Sequence, residues 1–177
     1  MPSIIRLLYA ASAVVAVVHA QGVVQSAQGT KGSPASPPLQ INLKATDANI
    51  INNDEITANI VNECGRTLLA GNIDVGANTE DQLANKTVTS VTKGSTVAVT
   101  IKQGGTDGAG PYTCDMDLTS NSNGVTGQTA LTVKETDAKD GTISLSVTMP
   151  ADMACVGGMS QSPPPIHSYL HIMRKKG

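Results

Sequence analysis

Three groups of side chains in this sequence are of types that do chemistry, and their spacing decides what each can do. Cys64, Cys114 and Cys155 are the only cysteines and stand about fifty residues apart. Zinc sites draw on pairs a few residues apart, so this spacing does not make one, whereas the thiols of an extracellular chain oxidise to disulfides. An odd count leaves at least one cysteine without an internal partner, and which two pair stays open. A catalytic thiol needs an activating base. The three histidines are His19, His167 and His171, and none lies between residues 21 and 158. Neither a Cys-His nor a Ser-His-Asp arrangement can be built within that segment.

Asp115 and Asp117 alternate along one stretch, about 7 Å apart if it is a strand. That separation would suit a retaining glycosidase pair or half of a calcium site. No third ligand or stacking aromatic accompanies them, so they read as the solvated outer face of a strand. His167 and His171 have the i, i+4 spacing of a helical metal pair. Pro163-Pro164-Pro165 precedes them and no acid stands between them, which favours an unstructured tail. Glu63 and Arg66 flank Cys64 and read as a local ion pair. Asn85-Lys86-Thr87 is an N-glycosylation sequon, making Asn85 the glycosylation candidate. The glycine-rich run from Gly104 to Pro111 lacks the Lys-Ser/Thr ending of a phosphate loop and reads as turns. No catalytic, cofactor-binding or metal-ligating residue is assigned on these grounds, and no cofactor is expected.

The elements that would position such groups must be built from aliphatic residues. Of 177 residues 40 % are hydrophobic, but only three are aromatic, all tyrosine. Platforms for stacking bases or sugar rings are scarce. The net charge is −2, but residues 21–158 hold eight basic and fourteen acidic side chains, a balance of −6. That excludes a polybasic nucleic-acid or lipid-headgroup binder.

Arg6, the apolar run Leu7 to Val18 and the end Val18-His19-Ala20 have the form of a secretory signal peptide. The run is too short to span a bilayer, which takes about 20 residues. Cleavage after Ala20 leaves Gln21 first. The expected organisation is a signal peptide over 1–20, a secreted domain over 21–158 and an atypical disordered tail over 159–177, with no membrane attachment after cleavage.

Within 21–158, Ser95 to Ile101, Tyr112 to Leu118 and Gly141 to Met149 alternate apolar with polar residues, the pattern of half-buried antiparallel strands. Glu55 to Val61, Asn72 to Val75, Thr87 to Val91 and Thr129 to Val133 are weaker strand candidates, and an N-terminal strand follows Gln21. Thr79 to Ala84 reads as one or two helical turns capped by Thr79. This density of short strands predicts an all-β antiparallel immunoglobulin-like β-sandwich.

Five ordered strings carry a resemblance. They are Ala27-Gln28-Gly29-Thr30-Lys31-Gly32-Ser33-Pro34-Ala35-Ser36, Asn59-Ile60-Val61-Asn62-Glu63-Cys64-Gly65-Arg66-Thr67 and Ala70-Gly71-Asn72-Ile73-Asp74-Val75-Gly76. Asp107-Gly108-Ala109-Gly110-Pro111-Tyr112-Thr113-Cys114-Asp115 and Met149-Pro150-Ala151-Asp152-Met153-Ala154-Cys155-Val156-Gly157-Gly158 complete the set. From Gln21 to Gly158 the chain resembles the secreted fungal appressorial penetration proteins, which include early-infection virulence factors of powdery mildew and rice blast.

The resemblance implies a secreted, cysteine-bridged, virulence-associated protein of appressorium formation and host penetration, whose partner is a host or cell-wall component. Family members often begin with His-Gly, similar to the N-terminal histidine that holds copper in lytic polysaccharide monooxygenases. Here the start is Gln21-Gly22, so copper-dependent polysaccharide oxidation is an alternative that requires cleavage before His19. A structural cell-wall or appressorial-matrix protein is the other alternative. The chain also departs from the family between Ser36 and Ile50, where a cysteine-bearing segment is shortened. It departs again after Gly158, as a retained intron or frame error would cause.

Overall fold

The computed structural model describes residues 22–51, 53–62, 64–103, 111–117, 128–137, 140–153 and 169–174. Ten strands and two helices follow in the order β1 (Gly22–Gln28), β2 (Asn49–Ile50), α1 (Asn53–Thr57), β3 (Arg66–Thr67), β4 (Gly71–Asn72), α2 (Val75–Ala84), β5 (Thr96–Gln103), β6 (Tyr112–Asp117), β7 (Gln128–Ala130), β8 (Thr132–Asp137), β9 (Thr142–Thr148) and β10 (Tyr169–Arg174). Seven strands form one antiparallel sheet in the order β4-β3-β2-β1-β5-β9-β8, and three form a second in the order β10-β6-β7.

The alternation predicted for β5 and β9 sets the core. Val97, Val99 and Ile101 point inward from β5, and Ile143, Leu145 and Val147 from β9, each at most 2 % exposed. Val97 lies opposite Val147, Val99 opposite Leu145 and Ile101 opposite Ile143, so one face of the central pair is aliphatic throughout. Cys114 and Met116 of β6 pack into the same cluster with Met149, which brings the small sheet against the large one. The chain passes between sheets at Leu131, whose N–H donates to the Cys114 carbonyl at 2.9 Å before β8 joins β9. Strands that switch sheets in this way make the corners of two-layer β structures.

Several expectations are corrected. Residues 55–61 are not a strand: α1 begins at Asn53, Asp54 and Glu55 occupy its first turn, where carboxylates suit the helix dipole, and Asn59 follows at φ 55°. The strand at Asn72 stops there, because Asp74 caps a longer helix than predicted, its carboxylate accepting the Ala77 N–H at 2.9 Å. Thr79 is no cap. Its hydroxyl donates to the Val75 carbonyl inside α2 at 2.7 Å. Residues 87–91 make no ladder, since Thr89 and Ser90 instead accept the N–H groups of Gly29 and Thr30.

Within the stretch expected as a disordered tail, Tyr169–Arg174 is placed as a strand opposite all six residues of β6. The β-forming run Tyr-Leu-His-Ile-Met stands clear of the proline block that ends at Pro165.

Candidate functional site

At the β4 end of the large sheet, a second buried set comprises Ala48, Ile50, Val61, Ile73 and Val75. Above it the surface is unusual. The large aliphatic side chains that stand exposed among the described residues are Leu43 (48 %), Ile60 (63 %), Leu68 (49 %) and Leu69 (58 %), and all four lie on segments tied to this end.

Leu68-Leu69-Ala70 is the loop of the β3–β4 hairpin, with Thr67 opposite Gly71 and Gly71 at φ 75°. A three-residue hairpin loop closing through a residue in the left-handed region is a standard geometry. Its tip is ordinarily polar, and here it is two leucines. The Thr67 hydroxyl accepts the Ala70 N–H at 3.0 Å, and Thr67 itself is buried.

The carboxylate of Asp47 joins this hairpin to the loop carrying Leu43. One oxygen accepts the Asn42 N–H at 2.9 Å. The other accepts those of Ala48 at 3.0 Å and Leu69 at 3.1 Å. Burial by itself would raise the Asp47 carboxyl, but the backbone donors of Asn42, Leu69, Ala48 and Leu68 outweigh it and hold the group below the usual aspartate range. Asn42 shapes the loop further, its side-chain carbonyl accepting the Lys44 N–H at 3.0 Å.

Gln40 makes the second tie. Its amide nitrogen lies 3.3, 3.2 and 2.9 Å from the carbonyl oxygens of Ala70, Gly71 and Asn72. Its own carbonyl accepts the Asp74 N–H at 3.1 Å. Ile60 is held through its backbone, the carbonyl accepting Asn72 Nδ2 at 2.9 Å. Asp54 and Asp74 are exposed, and Lys44 is the cation next to Leu43 in sequence.

Gly65 fixes how β3 is entered. Its φ is 74°, and a Cβ there would fall 2.3 Å from the Ile50 carbonyl oxygen, so a side chain is excluded by both conformation and space. Cys64 precedes it, half-buried, its N–H donating to Asn62 Oδ1 at 3.0 Å. Arg66 follows. Its partner is Glu55 of α1, through Nε–Oε2 at 2.8 Å and Nη2–Oε1 at 3.0 Å. Arg66 thus makes a bidentate pair across the fold; the local pairing expected with Glu63 lies outside the described residues.

The other predicted residues are scattered. Cys114 is a buried thiol, and desolvation together with the neighbouring Asp115 charge pushes its pKa up to about 12. No disulfide is formed among the described residues, which include Cys64 and Cys114. Cys155, His19 and His167 lie outside them, and His171 is placed by its backbone, opposite Asp115. Asp115 is half-buried and Asp117 only 1 % exposed. The solvated face expected for them is therefore corrected, because β6 is the middle strand of its sheet and its alternation breaks at Met116-Asp117, both buried. No group of three His, Cys, Asp or Glu residues able to hold a metal occurs among the described residues. Asn85 is exposed at the C-cap of α2, its Nδ2 donating to the Asp81 carbonyl at 2.8 Å. At the start of β1, the Tyr112 hydroxyl would stand 2.6 Å from a Cβ at Gly22, so a side chain there would have to push the tyrosine ring aside.

Sequence reasoning missed the aliphatic surface. The signal was Leu68-Leu69-Ala70-Gly71, a turn whose tip is apolar.

No helix among the described residues is long and apolar enough to cross a membrane. No curated protein and no solved structure matches the chain. The Egh16-like virulence factor family model matches residues 10–163. That span takes in the hairpin, the Asp47 loop and both core strands, and the chain belongs to the Egh16-like virulence factor family.

Proposed function

We propose that this chain is a secreted protein acting during appressorium formation and host penetration, that it works by binding a component of the host or fungal surface, and that Leu43, Leu68 and Leu69 make the contact. The observation that carries the reading is the exposure of these leucines on loops whose backbones are pinned by Asp47 and Gln40. Aliphatic groups held in place before contact lose little conformational freedom on binding, and exposed apolar patches rimmed by polar residues mark interaction sites. Membership of a virulence-factor family supports the same direction. The signal-peptide pattern supports secretion, and two sheets meeting across an aliphatic layer support an immunoglobulin-like sandwich. Secretion would put the three cysteines in an oxidising compartment, where a disulfide among them is proposed.

The test is co-sedimentation of the secreted protein with isolated host epidermal wall and with fungal wall, in parallel with the triple variant Leu43→Asp, Leu68→Asp, Leu69→Asp. Retention of the natural protein on one wall and release of the variant, at unchanged melting temperature, is the expected result. Equal retention of both proteins, or retention of neither, overturns the reading.

A further inference from the structure

The described part of β6 carries its core residues on a strand whose two edges are covered very differently. On one side β7 pairs with Asp115, Met116 and Asp117, and Leu131 extends that contact to Cys114. On the other side β10 pairs with the full length, from Tyr169 opposite Asp117 to Arg174 opposite Tyr112. Cys114 and Met116 belong to the main core, so this edge borders the aliphatic layer.

Two further observations set β10 apart. The family match ends at residue 163, before β10 begins. The tail is also opposite in charge to the domain it pairs with. Arg174, Lys175 and Lys176 follow a segment whose balance is −6, and β6 itself contains Asp115 and Asp117. Register puts Leu170 opposite Met116, Ile172 opposite Cys114 and His171 opposite Asp115. Directly opposed residues share a face of a sheet, so the tail supplies aliphatic residues at the two positions level with the core and a basic residue type level with the acid.

We infer that the edge of β6 opposite β7 is a strand-addition site for an extended peptide that is aliphatic at alternate positions and cationic at its C-terminal end. In this chain the site is held shut in cis by residues 169–174. Strand addition draws affinity from main-chain hydrogen bonds and selectivity from alternate side chains, and β10 pairs with β6 along all six residues of the strand. A strand outside the family match that takes no part in the large sheet is the element that can leave while the β5–β9 core stays formed.

Hydrogen exchange on the full chain tests this, comparing the natural protein with the variants Ile172→Pro and Leu170→Asp/Ile172→Asp. The probe is a synthetic peptide of residues 168–176. In both variants the β6 amides are expected to exchange about tenfold faster or more, while β5 and β9 keep their protection. Adding the peptide is expected to restore β6 protection in the variants and to bind the natural protein at least about tenfold more weakly. Unchanged β6 exchange in the variants means β10 does not close the edge, and failure of the peptide to restore protection means the edge does not accept a strand. Loss of β5 and β9 protection in both variants makes β10 an obligatory part of the fold. Any of these three results overturns the inference.

Discussion

The Asp47 carboxylate accepts the backbone N–H of Leu69 at 3.1 Å across 22 positions of sequence, and through this bond a buried charge determines where an exposed leucine stands. The same carboxylate holds Asn42 and Ala48. Asp47→Ala leaves the N–H groups of Asn42, Ala48 and Leu69 without this acceptor, that of Ala48 buried, and is expected to destabilise the protein by about 1–3 kcal/mol, read from urea denaturation. Because the folded pKa of Asp47 is depressed, its contribution is complete above the unfolded value, near pH 4, and is lost as pH falls through the lower folded value. Asp47→Asn is therefore expected to show a shallower loss of stability on the acid side than the natural protein.

Leu145 and Leu69 separate core from surface with one residue type. Leu145 is 1 % exposed within the main cluster and Leu69 is 58 % exposed. Leu145→Ala is expected to cost about 2–5 kcal/mol. Leu69→Ala is expected to stay within about 0.5 kcal/mol of the natural protein in the same denaturation assay.

Cys114 is expected to be unreactive. Burial and the Asp115 charge keep it a thiol up to about pH 12, and the thiolate is the reacting form. Iodoacetamide at pH 8 should leave it unmodified in the native protein and alkylate it after unfolding without reductant. If unfolded Cys114 is labelled only after reduction, it is in a disulfide.

Arg66 and Glu55 meet with two hydrogen bonds, and each side chain is about three-quarters buried. Lysine cannot reproduce that fork. Arg66→Lys should lose about 1 kcal/mol, and most of the loss should vanish when Glu55→Gln is already present, as a double-mutant cycle would report.

Asn85 and Thr87 lie at an exposed helix end, with Lys86 between them at φ 56°. Protein secreted from a eukaryotic host is expected to carry an N-glycan at Asn85. Enzymatic deglycosylation should lower its mass, and Asn85→Gln should abolish that shift.

Much of the β framework was legible because β5 and β9 alternate cleanly, and period-two patterning directly encodes a two-faced strand. The short strands β2, β3 and β4 were not, since two residues carry no period. What defines them is distant: Gly65 against the Ile50 carbonyl, and Gln40 against three carbonyls of the hairpin. Helix α2 was half legible. Its acidic turn stood out, but Asp74 as the cap depends on a backbone conformation that spacing alone does not reveal. The candidate surface was hidden for a related reason. Leu68 and Leu69 look like core residues until the hairpin register turns them outward, and Asp47 looks like a surface acid until four backbone donors are found around it. Arg66 likewise has a partner on α1, eleven positions away.

The grip of Gln40 on Ala70, Gly71 and Asn72 has a consequence for how molecules of this protein meet. An outermost strand normally offers its carbonyls as a template on which another copy's strand can grow. Here one carboxamide, on a residue with a backbone φ of 59°, brings its two N–H donors within reach of the Gly71 and Asn72 carbonyls from within the same chain. At this border a strand from a second copy would have to displace Gln40 before it could pair, so this edge of the sheet is guarded from within the chain.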